Sequence, residues 1–483
     1  MSSLNLPRPT GTLFAVICAC SAMLGPLSGG VSIGFTGSTI DTMRNSVLAP
    51  DGSHIDIGSE SNLYVLKSTT ASSLFSAALT LGALIGTLSG GPVAEATGRR
   101  LALLIAAPLS VLGYLGIGFG SSPYLLIASR FVNGLSLGLC AFVTPVYMRE
   151  IVPATLQGPI GTYTQTMLAV GIFLAYAFGW SARTNAGSLH PLVTSTTFCN
   201  WRLVSFICII PPTLLILTML FAVESPSWLA TRGRIDEART IITRIRSNPD
   251  DVVNDTLALE NHRSGGAVGF LSRVKILLSY RRQIIIAVGL NAMTQLSGVN
   301  AMVFFQTTIF LMAGVKNADV QALAVQLGTI ISNLLTSCVI NRVGRRLLLV
   351  SSAAGMCLNL FLIATTFLVN RVAGTNIAWM AAVASYCYQI TYAWGVGPIR
   401  WMVAAELFPD EARGLASSLA ASANWFFAFL TVVVLETAIK ETSPQTVFYF
   451  FACVAGVMTA FAWYLIPETR GKTTEEIQVS SKR

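Results

Sequence analysis

The segment "GPVAEATGRR" (residues 91–100) returns in shortened form as "INRVGRR" (340–346). A second segment, "YMREIVPATLQG" (147–158), returns as "VAAELFPDEARG" (403–414). The returns lie 246 and 256 residues on, so the chain reads as two parallel copies of one unit. Every copy follows a long apolar run, and the nature of those runs decides the fold.

Composition settles that point. Of 483 residues, 53% are hydrophobic and 11% charged, with a mean hydropathy of +0.65. A soluble domain carries roughly 25% charged residues, so lipid must solvate most of this chain. A spanning helix needs about 20 apolar residues. Such runs fall at about 12–40, 70–90, 102–119, 125–147, 161–181 and 203–222, then at about 284–313, 321–341, 348–368, 375–405, 414–438 and 444–466. The expected fold is an all-α membrane protein of 12 transmembrane helices in two pseudo-symmetric halves, 1–222 and 284–466. A cytoplasmic helical linker (223–283) joins them and a cytoplasmic tail (467–483) follows. The first run is too long for a signal-peptide core and is read as a retained helix.

The net charge of +9 does not point to nucleic acid. Its densest cluster (Arg232, Arg234, Arg239, Arg244, Arg246, Arg263, Arg273, Lys275, Arg281, Arg282) lies in the linker, as expected of a cytoplasmic loop. That bias places both termini in the cytoplasm. Within the linker, "ESPSWLATRGRIDEARTIITRIR" (224–246) reads as a helix opening at Pro226. The sequon at Asn254 falls on the cytoplasmic side and is expected to stay unmodified.

The nine cysteines show no metal-ligand spacing, and the three histidines (His54, His190, His262) fall in loops. No nucleophile–base spacing or phosphate loop occurs. We therefore expect no metal, no cofactor and no enzyme activity. Paired halves instead suit a transporter with its site at their interface.

"GRR" in both halves, "RFVNG", "ESPSWL", "QLSGVN", "GPIRW", "AELFP" and "PETRGKT" together resemble the sugar-porter family of the major facilitator superfamily, from about Gly25 to Thr473. "GPLSGGVSIGF" (25–35) further resembles intracellular-type animal glucose transporters and their plant relatives. The resemblance implies a facilitative hexose transporter working by alternating access. A proton-coupled sugar or polyol symporter is the alternative in mechanism, and a transport-inactive sugar sensor the alternative in class. The short stretch after Ile466 counts against a sensor, which usually carries a long signalling tail.

The residues support a neutral, hydroxyl-rich ligand. Side-chain amides donate and accept, and an aromatic wall covers an apolar sugar face. The candidates are Gln165, Gln295, Asn300 and Asn424, with Trp401 and Trp425 as the wall. Gln165, Gln295, Asn300 and Trp401 align with the family's sugar-contacting positions. Helix–helix glue is the alternative role for such amides. Ser297-Gly298 should bend the seventh span, and the resemblance makes Phe304 and Phe305 an extracellular gate.

Departures from the family pattern carry information. Thr294 replaces one of two expected glutamines, and Thr329 stands where an amide is common, which leaves the preferred sugar open. Arg400 precedes Trp401 where animal members have proline; it either snorkels or pairs within the bundle, or meets an anionic substrate. "GFT" (34–36) puts Thr36 where proton-coupled members carry a carboxylate, beside the position of Arg130, so uniport is expected. Arg99, Arg100 and Glu150, with Arg345, Arg346, Glu406 and Arg413, form an expected cytoplasmic salt-bridge latch. Gln157 and Asn341, where charges are usual, should weaken it. The expected partners are a sugar and the lipid bilayer, with a monomer as the working unit and the plasma membrane as the default location.

Overall fold

Runs of 20 or more apolar residues in lipid must satisfy every backbone group internally, and helices do so. The computed structural model describes residues 11–43, 46–48, 54–56, 66, 69–153, 160–187, 201–247, 252–257, 270–312, 317–373 and 377–468. The first half holds α1 (Gly11–Met43), α2 (Thr69–Thr97), α3 (Arg99–Phe119), α4 (Pro123–Ile151) and α5 (Ile160–Gly187). Its last span is split into α6 (Trp201–Ile207) and α7 (Ile210–Met219) at Cys208-Ile209, just before Pro211 and Pro212. Among the described residues, ten helical stretches are long and apolar enough to cross a membrane. The expected count of twelve is reached only by adding α5 and a broken span described below.

One departure from an all-helical chain appears among the described residues. Strands β1 (Ser46–Leu48) and β2 (His54–Asp56) pair antiparallel, with Val47 opposite Ile55. His54 thus sits in a strand rather than a loop; His190 and His262 fall outside the described residues.

Glycines set a close helix contact in the first half. Gly82 and Gly86 on α2 face Gly134 and Gly138 on α4, each pair one turn apart. A Cβ built on Gly134 would stand 2.8 Å from the Gly82 Cα, and one on Gly86 would stand 3.1 Å from the Gly138 Cα. Small residues let the two backbones touch without the hydrophobic drive that water supplies.

The linker docks on the first half. α8 (Pro226–Thr231) opens at the expected proline, and Ser225 caps it by accepting from Trp228 N (3.2 Å). The expected single helix stops there, because Gly233 adopts φ +77°, and α9 (Ile235–Ile245) begins anew. Trp228 Nε1 and Arg232 Nη2 both donate to Glu95 O at 2.8 Å, and Arg246 Nη1 donates to Ile151 O at 2.5 Å. α10 (Phe270–Ser279) leads into the second half.

That half begins with α11 (Arg281–Leu296), α12 (Val299–Phe304) and α13 (Gln306–Met312) in place of the one expected span. It continues with α14 (Ala318–Val343) and α15 (Arg345–Ala373), then α16 (Ala378–Trp394) and α17 (Val396–Glu406), another broken span. α18 (Asp410–Glu441) and α19 (Pro444–Leu465) complete it. The halves meet along α2 against α18 and α5 against α14.

Candidate functional site

The first break lies where the sequence placed a bend. Ser297 and Gly298 separate α11 from α12, and Gly298 takes φ +84°, which side-chain-bearing residues rarely adopt. The released carbonyls find partners, as backbone at membrane depth must. Tyr388 donates its hydroxyl to Ser297 O (3.1 Å), and Thr431 donates to Gln295 O (3.3 Å).

The second break, at Gly395 before Val396-Gly397-Pro398, is satisfied similarly. Val396 N donates to Ser352 Oγ (2.9 Å), and Ser352 donates to Thr391 O (2.5 Å). Thr336 donates to Trp394 O (3.1 Å). Short polar side chains on α14 and α15 thus replace the lost helical bonds. Discontinuous helices flanking one another are where transporters build ligand sites.

Two expected site residues pair beside the first break. Gln295 on α11 donates from Nε2 to Asn424 Oδ1 on α18 at 2.7 Å. They are 2% and 1% exposed, so the pair is buried. Gln295 Oε1 is left buried without a partner, as is Nε1 of Trp425, the next residue on α18. One orphan acceptor and one orphan donor match what a hydroxyl offers. Trp401 is partly exposed on α17, which packs on both α11 and α5. α5 carries Gln165, which is buried, and Asn300 is buried on α12.

The two threonines do not join them. Thr294 donates to Leu290 O (2.7 Å) and lies 3.6 Å from Met458 Sδ, packed on α19. Thr329 donates to Val325 O (2.9 Å) on its own helix. Phe304 and Phe305 are buried at the α12–α13 junction, beside Val303, whose carbonyl accepts from Tyr176 of α5 at 2.6 Å. Sequence reasoning missed Tyr388, and Gln389 with its buried, unpaired Nε2. An amide scan extended to the tenth span would have found Gln389.

Thr36 and Arg130 do meet. Arg130 Nη2 donates to Thr36 Oγ1 and to Ser32 O (2.9 Å), with the rings of Phe35 and Phe75 at 5.4 and 5.0 Å from the guanidinium carbon. No carboxylate among the described residues pairs with it.

At the linker end, the ion pairs among the charges of the expected latch form within each half. Arg99 Nε and Glu150 Oε2 are 2.9 Å apart, and Arg345 Nη2 and Glu406 Oε1 are 3.5 Å apart. The other arginines hold backbone: Arg100 donates to Met219 O (2.9 Å), Arg346 to Trp463 O, and Arg413 to Phe408 O (3.4 Å). Glu224 and Glu468, unremarked in sequence, cap α3 and α15. Glu224 accepts from Arg99 N (2.8 Å) and Arg100 N (3.0 Å); Glu468 accepts from Arg345 N (3.0 Å) and Arg346 N (3.2 Å). Carboxylates there satisfy orphan N–H groups and the helix dipole. Extending the repeat would have revealed them, since they lie 244 residues apart. Across the halves, Arg149 lies within electrostatic reach of Glu406 and Arg413. Gln157 and the Asn341 side chain fall outside the described residues.

Glu406 thus faces cations of both halves. Glu406→Gln should populate a state open at the linker end, read as longer distances between spin labels at the exposed Leu101 and Leu347. An unchanged distance distribution would remove Glu406 from the latch.

The family model described as "Sugar (and other) transporter" matches residues 17–480. The chain belongs to the sugar transporter family. Its members are membrane transporters rather than enzymes, and this one is a multi-pass membrane protein. Sugar transporter ERD6-like 6 of Arabidopsis thaliana is 28% identical, covering 97% of this chain and 90% of its own length. The facilitated glucose transporter member 8 of Mus musculus is also 28% identical, with coverages of 95% and 93%. Among solved structures, the inward-open xylose transporter XylE from E. coli matches with a TM-score of 0.76 at 22% identity, over 96% of this chain and 99% of that one. XylE bound to 6-bromo-6-deoxy-D-glucose matches with a TM-score of 0.75 at 23% identity, over 97% and 99%. This likeness establishes the major facilitator fold for the sugar transporter described here.

Proposed function

We propose that the protein carries a monosaccharide, a hexose such as glucose, by alternating access and without coupling to protons. The observation that supports this reading is the buried Gln295–Asn424 pair, with an unpartnered acceptor on Gln295 and an unpartnered donor on Trp425, the next residue along α18. Unpaired groups at membrane depth cost free energy unless a ligand or water completes them. Gln165 and Asn300 extend the hydroxyl contacts, Trp401 covers an apolar face, and Phe304-Phe305 close over the sugar. Thr294 and Thr329 serve at most through water. Residues 1–222 and 284–466 are the two moving halves, steered by the linker at 223–283, with 467–483 as the tail. The Arg-rich end, with both termini, is cytoplasmic, and the plasma membrane is the site of action. One chain supplies both halves of the site, so a monomer suffices.

Uniport rests on Thr36. A proton relay needs a group whose charge changes during the cycle, and the hydroxyl that meets Arg130 has none. In liposomes holding purified protein, an imposed pH gradient is expected to leave the rate of hexose uptake unchanged. Acidification of the lumen in step with sugar entry would make the protein a symporter instead.

A further inference from the structure

Arg400 is left unused by the hexose reading. It stands on α17, 5% exposed, with its guanidinium carbon 4.9 Å from the centre of the Trp401 ring and 5.6 Å from that of Tyr392. Its Nε and Nη1 are buried without an acceptor. No carboxylate among the described residues forms an ion pair with it. A guanidinium stays protonated under all ordinary conditions, so it cannot escape burial by losing its charge. Two ring faces offset only part of the desolvation. The nearby Tyr388 hydroxyl, within electrostatic reach, is directed to Ser297 O. Earlier on the same broken span, Gln389 Nε2 also lacks an acceptor. The span therefore presents donors and a fixed positive charge, and is short of acceptors.

We propose that Arg400 forms an anionic subsite beside the sugar site, and that the substrates include, besides neutral hexoses, a monosaccharide bearing one carboxylate, of the hexuronate type. The proposal rests on the hexose-site reading above and extends it. A carboxylate supplies the missing acceptors through charge-assisted hydrogen bonds, and its single charge balances the single guanidinium. A phosphate dianion would bring a second charge to a site whose other polar groups, Gln295, Asn300, Asn424 and Gln165, are neutral. With the guanidinium lying on Trp401, the carboxylate end of the sugar would meet Arg400 while the ring hydroxyls meet the amides.

The test is uptake of radiolabelled glucose and glucuronate by purified protein in liposomes, for the wild type, Arg400→Gln and Arg400→Lys. The wild type is expected to take up glucuronate saturably and in competition with glucose. Arg400→Gln should lower the glucuronate-to-glucose uptake ratio by about 10- to 100-fold, the range of a lost charge-assisted bond. Arg400→Lys should restore part of it. Wild-type protein that carries glucose yet neither carries nor is inhibited by glucuronate would overturn the subsite and leave the hexose reading standing. So would an unchanged ratio in Arg400→Gln. Uptake of neither sugar by the wild type would overturn both readings. If Arg400→Gln does not survive size-exclusion chromatography, the wild-type competition decides alone.

Discussion

Gln295→Ala is expected to raise the hexose concentration for half-maximal uptake by about 10- to 100-fold while the protein stays folded. The substitution removes the orphan Oε1, which would accept from a sugar hydroxyl, and the Nε2 donor that orients Asn424. Asn424 Oδ1 then faces a void, and a buried acceptor left unpaired costs about 1–3 kcal/mol. If the amide only glued α11 to α18, the penalty would fall on stability, at about 0.6–2 kcal/mol. The two roles separate by experiment. With uptake kinetics and the thermal midpoint in detergent measured on the same preparation, both roles lower the midpoint, but only a sugar contact raises the half-maximal concentration. Asn424→Ala should reproduce the kinetic defect, and the double substitution should add less than the sum, because the residues share one bond.

Gly298→Val is expected to cut maximal uptake by at least about tenfold and to lower the thermal midpoint clearly. A left-handed backbone costs a side-chain-bearing residue about 1–2 kcal/mol. Here the added Cβ would also stand 2.6 Å from the Phe451 ring of α19, and such overpacking costs about 1–3 kcal/mol more. Relief of either strain would straighten the break between α11 and α12. That would pull Gln295 from Asn424 and Ser297 O from Tyr388. Gly233→Ala is the matched control. Its φ is +77°, yet a Cβ there meets nothing within 4 Å. It should show only the backbone part of the cost and normal uptake. Equal effects at Gly233 and Gly298 would mean that the break at mid-membrane has no special role.

The class, the positions of the spans and the duplicated motifs were legible from composition and repeats, because lipid imposes one length and one polarity on every crossing. The bend at Ser297-Gly298 and the opening of α8 at Pro226 were legible because glycine and proline act locally. Other features depend on contacts between distant segments. Nothing near Thr294 in sequence reveals that its side chain packs against Met458 rather than beside Gln295. The break at Gly395 is stabilised by Ser352 and Thr336, roughly 40 and 60 residues earlier on other helices. The linker-end charges were recognised as a set, but their pairing within each half depends on which helix ends adjoin. Arg400 was visible as a departure from pattern. Its burial over two rings without an anion required the fold.

On the proposed function, a sugar site closes between the two halves of this chain. Counterflow of radiolabelled D-glucose into liposomes preloaded with unlabelled sugar tests it most directly. Saturable, transient accumulation is expected, suppressed by D-glucose and not by L-glucose. Equal uptake in protein-free liposomes, or equal suppression by the two enantiomers, would contradict it.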